Sequence, residues 1–400
     1  MKQSDEYKLL INCCRTCPSI QVDDEISSSV LKKSLNWDFI LSESFHHEIA
    51  SFLYKRLKEL DLLVRIPQEV ARNLKHSYFY TFFRNRLLQQ EYLEIYSVFR
   101  DEKIKCLPLK GISFIGDLYK DIALRPMIDI DVIIKEADLN KADDLLVNRL
   151  YYRKTTDCVN PKDVSHIVFS QNKKRVCLEL HVDADYSFET PRRIVIPGIW
   201  DRSSGPRRSG AASEAMSPED MFFSIAMHAR RIGKLFTIKY LCDIDRLIRK
   251  NKNRLDWSFI TESARRFNII NPCFVLLRSV RDIFSTPIPQ ESLEKFYIGT
   301  MKGYFSKYLV RKIVFIKKGE RRGYNRYDYL YAHFLMYDSL IAPSKQILFI
   351  DKERFAKFYN IDRRNGKKIE MLYMVRIPYM LFKLAISFFY KIVGFFYRAL

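Results

Sequence analysis

The sequence predicts an α+β protein: a small mixed sheet with flanking helices, set between N- and C-terminal helical regions. Three observations carry this. Apolar residues recur at helical spacing in the first 95 residues and again over residues 217–365. Residues 96–190 instead carry short alternating runs separated by helical stretches, the pattern of a mixed α/β unit. The chain has 400 residues and is 48% hydrophobic, enough for a large core and for more than one domain.

In the N-terminal region the apolar positions run through Ile49, Phe52, Leu53 and Leu57, then Phe79, Phe82, Phe83 and Leu87, each set expected to face a core. Residues 191–216 contain Pro197, Gly198, Gly205, Pro206 and Gly210 together with Arg192, Arg193, Arg202, Arg207 and Arg208, and are expected to form a basic linker or loop. Ser217-Pro218-Glu219-Asp220 then has the signature of a helix start: a serine cap, proline at the first position and acids in the first turn. The tail, residues 377–400, is apolar around most of a helical circumference. Lys383, Ser387, Lys391, Gly394 and Arg398 fall within an arc of about 80°. It is too short in uncharged residues to span a bilayer. Either it lies in the plane of an anionic membrane, or it is buried in this protein or a partner.

The formal net charge of +21 points to polyanions: nucleic acid, nucleotides or an acidic membrane surface, or simply to a soluble basic surface. With only 12 glycines, folds that cradle nucleotides in glycine-rich loops are disfavoured. Gly233-Lys234 lacks the upstream glycine and the following Ser/Thr of a phosphate loop. Eight cysteines spread thinly through the chain are expected to be reduced cytoplasmic thiols. Cys13, Cys14 and Cys17 lack a second pair at zinc spacing. The N-terminus has scattered charges and no apolar stretch of the signal-peptide kind. The expected location is cytoplasmic, with peripheral contact at the inner face of the membrane left open by the tail.

The chemistry concentrates in two runs. Met127–Ile134 reads as a strand with Ile128, Ile130, Val132 and Ile134 on one face and Asp129 and Asp131 on the other. Adjacent carboxylates repel, and a hard divalent cation such as Mg²⁺ between them relieves that. Alone, the same pattern also fits two solvated acids on an exposed edge. Val176–Asp183 repeats the alternation, with Cys177, Glu179, His181 and Asp183 sharing a face. A neighbouring strand would bring Glu179 to the aspartates. Three carboxylates can hold two metal ions, or one metal and a general base, which suits in-line phosphoryl or nucleotidyl transfer. His181 either contacts a phosphate, orients a ligand, or is an ordinary polar strand residue. Upstream, Leu107–Ser113 reads as a strand turning into an amphipathic helix to Tyr119. There Lys110, Gly111 and Ser113 offer a charge, a close backbone approach and a hydroxyl. Arg125, next to Pro126, either clamps a phosphate or pairs with carboxylates.

Together these motifs resemble the uncharacterised nucleotidyltransferase family of the DNA polymerase β-like superfamily. Lys110-Gly111, Arg125-Pro126, Asp129-Ile130-Asp131 and Glu179-Leu180-His181 match its Leu-Lys-Gly, Arg-Pro, Asp-Ile-Asp and Glu-Leu-His motifs. Ser217–Asp220, His228 and Lys239–Asp243 resemble its helical module. A second histidine often found there is replaced by Arg230 or Arg231. The resemblance implies a polymerase β-like core and a Mg²⁺- or Mn²⁺-dependent transfer of a nucleoside monophosphate from an NTP to a hydroxyl or phosphate acceptor. Asp129, Asp131 and Glu179 are the expected metal and catalytic set; Lys110, Gly111, Ser113, Arg125 and His181 the nucleotide contacts. His228, Lys239 and Asp243 are candidates for contact with nucleotide or acceptor. The bland alternatives are a packed histidine for His228 and a helix-surface ion pair for Lys239 and Asp243. Two other classes stay open: a toxin-like enzyme modifying RNA such as tRNA, for which the basic charge speaks, and a catalytically inactive nucleotide-binding or membrane-associated scaffold.

Overall fold

Helices begin where a short polar side chain accepts from the exposed N–H groups of the first turn. Ser4 accepts from Tyr7, Asn36 from Phe39, Ser217 from Asp220 and Asp256 from Phe259, each opening a helix. The structure, a computed structural model, describes residues 4–32, 34–155, 166–182, 198–203, 214–228, 237–252, 254–314 and 335–338, with scattered helical positions between 367 and 389.

In chain order the first helices are α1 (Asp5–Cys14), α2 (Ile20–Lys32), α3 (Trp37–His46), α4 (Ala50–Glu59) and α5 (Gln68–Asp101). The mixed unit follows: β1 (Cys106–Leu109), α6 (Lys110–Ile115), β2 (Ile130–Ile134), α7 (Leu139–Asp144), β3 (Arg153–Lys154), β4 (His166–Gln171) and β5 (Val176–His181). After it come α8 (Ile199–Arg202), α9 (Pro218–His228), α10 (Ile238–Lys250), α11 (Trp257–Arg266), α12 (Ile270–Phe284), α13 (Gln290–Lys295) and α14 (Thr300–Val314). The strands form one five-stranded mixed sheet, in the order β1-β2-β5-β4-β3. Among the described strands only β2 and β5 run parallel; the other pairs are antiparallel. This is the α+β architecture that the sequence pattern predicts.

The two faces of the sheet see different surroundings. Ile130, Val132, Ile134, Leu178 and Leu180 are fully buried in a core shared with Leu88, Ile95 and Phe99 of α5 and Ala142 of α7. Each such side chain contributes roughly 1.5–3 kcal/mol relative to exposure. On the other face, Leu107, Leu109 and Ile133 join a second core that unites the early helices with α9, α10 and α12. The acidic residues therefore lie beside a packed layer of helix, at the margin of a core.

Three local expectations are corrected. Ile128 does not share the buried face: β2 starts only at Ile130, and Ile128 is 75% exposed. Phe79 and Phe83 do not face a core; both are exposed. The buried stripe of α5 instead includes the polar Thr81, Asn85 and Glu91. Two of them are held by strong partners. Asn85 Nδ2 donates to the carbonyls of Ile122 (2.5 Å) and Arg125 (2.8 Å), and Glu91 accepts from Tyr152 Oη (2.8 Å). Buried polar groups paired through bonds such as these can take a helix's inner face in place of aromatics. Third, the helix after Lys110 ends at Ile115 rather than reaching Tyr119. Within the expected basic linker, Ile199–Arg202 is helical, and Arg202 pairs with Asp220 at 2.7 Å. Arg192, Arg193, Arg207 and Arg208 lie outside the described residues, as does most of the 377–400 tail.

Candidate active site

The parallel pairing of β2 with β5 sets Asp131 directly opposite Glu179, and Ile133 opposite His181. Paired positions point to the same face, so Glu179 and His181 project beside Asp131. Asp131 is 5% exposed. Its Oδ1 accepts from Lys110 Nζ at 2.6 Å and lies 3.0 Å from His181 Nε2. The same imidazole nitrogen is 3.4 Å from Glu179 Oε2. One ligand atom each from Asp131, Glu179 and His181 falls within 4.8 Å of the others.

Asp129 sits one step before the strand and completes the acidic group electrostatically. Burial, and then the carboxylates of Asp131 and Glu179, push its pKa up to about 6. Lys110 and Lys239 oppose that rise. Asp131 behaves in the opposite way. Burial works to raise its pKa, but Lys110 and His181 hold it well below the usual carboxylate range. Cys177 shares the face, and burial, with the same three carboxylates behind it, pushes its thiol up to about 11.

Lys110 reaches Asp131 from an unusual backbone. Its φ of 45° is in the left-handed region. Glu48, Asp61, Lys103, Asn268 and Ser285 also have positive φ, but they follow helix ends, where that conformation is common. Lys110 opens a helix, directly after β1, and such strain persists only where the surroundings enforce it. The next residue, Gly111, has no room for a side chain. A Cβ there would lie 2.7 Å from Met127 Sδ and 2.9 Å from an Arg125 guanidinium nitrogen. Its glycine is thus accounted for by packing under the Arg125–Met127 segment. Ser113 is buried, its Oγ without a hydrogen-bond partner among the described residues.

Arg125 pairs with a carboxylate, but not with those of the acidic group. Its guanidinium grips Asp243 in bidentate fashion, with Nε 3.0 Å from Oδ1 and Nη2 2.9 Å from Oδ2. Tyr119 Oη donates to the same carboxylate at 2.5 Å, and Phe114 lies under the guanidinium at 5.1 Å. Asp243 is fully buried. The expected helix-surface pair of Lys239 with Asp243 is therefore absent: Lys239 is buried and pairs with Glu48 Oε2 at 2.6 Å. The i,i+4 spacing is real, but stronger partners arrive from the segment after α6, the loop before β2 and the turn after α3. Burial, then Arg125, lowers the Lys239 pKa, and Glu48 offsets part of that. His228 is the last residue of α9; its side chain is outside the described set.

Sequence reasoning missed Glu48 and Tyr119. Each meets its partner across more than a hundred residues of chain, and neither carries a local motif. Cys177 was legible from strand alternation alone.

The donor set fits a hard divalent cation: carboxylate oxygens crowded together, one of them with a raised pKa, and an imidazole at the edge. Among the described residues no Cys/His group suited to zinc is found, and seven cysteines are free thiols. Also among the described residues, no helix is long and apolar enough to cross a membrane. A family model described as uncharacterised nucleotidyltransferase matches residues 33–285. No curated protein and no solved structure matches the chain.

Proposed function

The chain belongs to the uncharacterised nucleotidyltransferase family, and from that premise we propose that it transfers a nucleoside monophosphate from an NTP to a hydroxyl or phosphate acceptor. The acceptor oxygen forms a bond to the α-phosphorus as the bond to the bridging oxygen breaks. Pyrophosphate leaves, and the acceptor's proton passes to a base or to solvent. The observation that carries the reading is the register of β2 on β5, which sets Asp131 beside Glu179 with Asp129 adjacent.

In this reading Asp129, Asp131 and Glu179 hold Mg²⁺ or Mn²⁺, with His181 orienting Asp131 and Glu179. The bound ion would neutralise charge on the transferring phosphoryl group and lower the pKa of the attacking hydroxyl. Lys110, 2.6 Å from Asp131, is placed to exchange that contact for a phosphate oxygen. The backbone at Gly111 lines the same approach. Glu179 is the more exposed carboxylate of the β2–β5 pair, 23% against 6% for the side chain of Asp131. That suits it to accept the acceptor's proton. Arg125 acts from behind, fixing the loop that delivers Asp129. Ser113, buried, has no direct contact with phosphate in this reading.

Screening α-labelled NTPs against RNA, protein, sugar phosphates and small alcohols tests it, with Asp129→Asn/Asp131→Asn as control. Label transfer that depends on the divalent ion and on both aspartates is expected. Equal transfer by the double variant overturns the assignment. The net charge of +21 favours a second reading in which the acceptor is RNA such as tRNA. Its support would be tRNA binding that weakens steeply with salt.

A further inference from the structure

On the helical side of the loop that leads into β2 lies a cavity of about 380 Å³, lined in part by Pro126, which falls within the size range of small-molecule sites. The end of α3, the start of α4, α5 and Pro126 enclose it. Its walls include Phe45, Glu48, His76, Tyr80 and Pro126. Of these, Glu48 alone enters the site described above, as the partner of Lys239.

Three features bear on what it holds. The first is position. Pro126 is three residues from Asp129, so at most about 11 Å of extended chain separates the cavity wall from the acidic group. Glu48, also in the wall, holds Lys239, whose charge in turn acts on Asp129. The second is wall chemistry. Tyr80 on α5 and Phe45 on α3 are 65% and 47% exposed, although α5 buries the polar Thr81 next to Tyr80. Flat rings left open on a concave wall are stacking surfaces for another flat ring. The third is the polar group. The Glu48 carboxylate only accepts hydrogen bonds, and Lys239 occupies its Oε2. Its other oxygen can accept an N–H from a ring edge.

We propose that this cavity receives the nucleobase of the NTP, stacked on Tyr80 and Phe45 and donating an N–H to Glu48. This rests on the assignment of the acidic group to the metal-bound triphosphate. An NTP whose triphosphate lies at the acidic group has its base one ribose away from the α-phosphate, a span that the limit of about 11 Å set by the Pro126–Asp129 chain allows. An apolar acceptor or a lipid chain has no use for Glu48 on the wall, and a phosphate would be repelled by it.

The test is calorimetric titration of the full chain with Mg²⁺ and each of the four NTPs, and separately with inorganic tripolyphosphate, which has the charge but no base. Wild type is expected to bind at least one NTP about tenfold or more tighter than tripolyphosphate, the scale of one base stacked on an aromatic ring. Tyr80→Ala and Phe45→Ala, both at exposed positions, are expected to erase most of that margin and to leave tripolyphosphate affinity unchanged. The inference is overturned if both variants bind every NTP as wild type does. It is equally overturned if they weaken NTP and tripolyphosphate alike, or if wild type makes no distinction between the two. A wild type that binds neither ligand in Mg²⁺ contradicts the triphosphate assignment itself, and the base pocket falls with it. The failure of the pocket and the failure of the site are thus told apart.

Discussion

Two buried charge clusters lie side by side in this protein, and they are built to opposite ends. Around Asp243, charge and hydrogen bonding are closed: Arg125 binds the carboxylate in bidentate fashion, Tyr119 adds a third donor, and Asn85 anchors the Arg125 carbonyl. Around Asp131 the account stays open. Three carboxylates crowd together beside Lys110 and one imidazole, and burial, then the neighbouring carboxylates, push the pKa of Asp129 up to about 6. A closed cluster holds a loop in place. An open one, with its carboxylates crowded together, is where the proposed cation and triphosphate would bind.

The largest separation between the clusters is expected in activity. Asp131→Asn should lower nucleotidyl transfer by about 10³-fold, the scale of losing a central electrostatic group, measured as label transfer at saturating NTP. The same substitution should leave the fold intact. At the closed cluster the reverse holds. Arg125→Ala leaves Asp243 buried without its cation and should destabilise the protein by about 3–5 kcal/mol in urea unfolding. Arg125→Met/Asp243→Leu should recover most of that, because a matched apolar pair replaces a matched ionic one. If Arg125→Ala instead left stability unchanged and abolished NTP binding, the two clusters would have to exchange roles.

Proton linkage sharpens the contrast. In the metal-free protein Asp129 has its pKa raised from 3.8 to about 6. The folded state therefore binds that proton more tightly than the unfolded chain does. As pH rises from about 4 to about 6 the folded state should lose stability from this group. Asp131, held charged, works with the opposite sign: its contribution is present above its unfolded pKa and lost in acid. The difference in urea stability between wild type and Asp129→Asn, followed across pH, isolates the first effect. A difference that stays flat from about pH 4 to pH 7 would contradict it. Mn²⁺ affinity should fall as pH drops below about 6, since the ion needs the charged carboxylate.

Smaller effects follow from packing. Gly111→Ala should cost about 1–3 kcal/mol, because the new methyl meets Met127 and the fixed guanidinium of Arg125. Lys250→Ala, at an exposed lysine paired with Asp117, should change stability by under about 1 kcal/mol. That makes it the control for a charge outside both clusters.

Much of the acidic group was legible in the sequence because β-strands alternate. Once Val176–His181 and Ile130–Ile134 are strands, Glu179, His181 and Asp131 have fixed faces, and an adjacent pairing brings them together. The Ser217 cap was legible for a similar reason: capping is local. What escaped is non-local. Nothing near Asp243 announces that Arg125 and Tyr119 will outcompete Lys239 for it. Nothing near Phe83 announces that Asn85 will take the inner face of α5 to hold the loop before β2. Hydrophobic periodicity assumes that apolar residues win the buried positions. Here hydrogen bonds to a loop carrying the site decided otherwise.

We propose that Asp129 and Asp131 hold a divalent ion together with the triphosphate of an NTP. The most direct test is calorimetric binding of NTPs to wild type and to Asp129→Asn/Asp131→Asn, with and without Mg²⁺. Mg²⁺-dependent binding to wild type, and loss of the Mg²⁺ dependence in a folded double variant, are expected. Binding by the double variant with wild-type affinity and the same Mg²⁺ dependence would contradict the proposal.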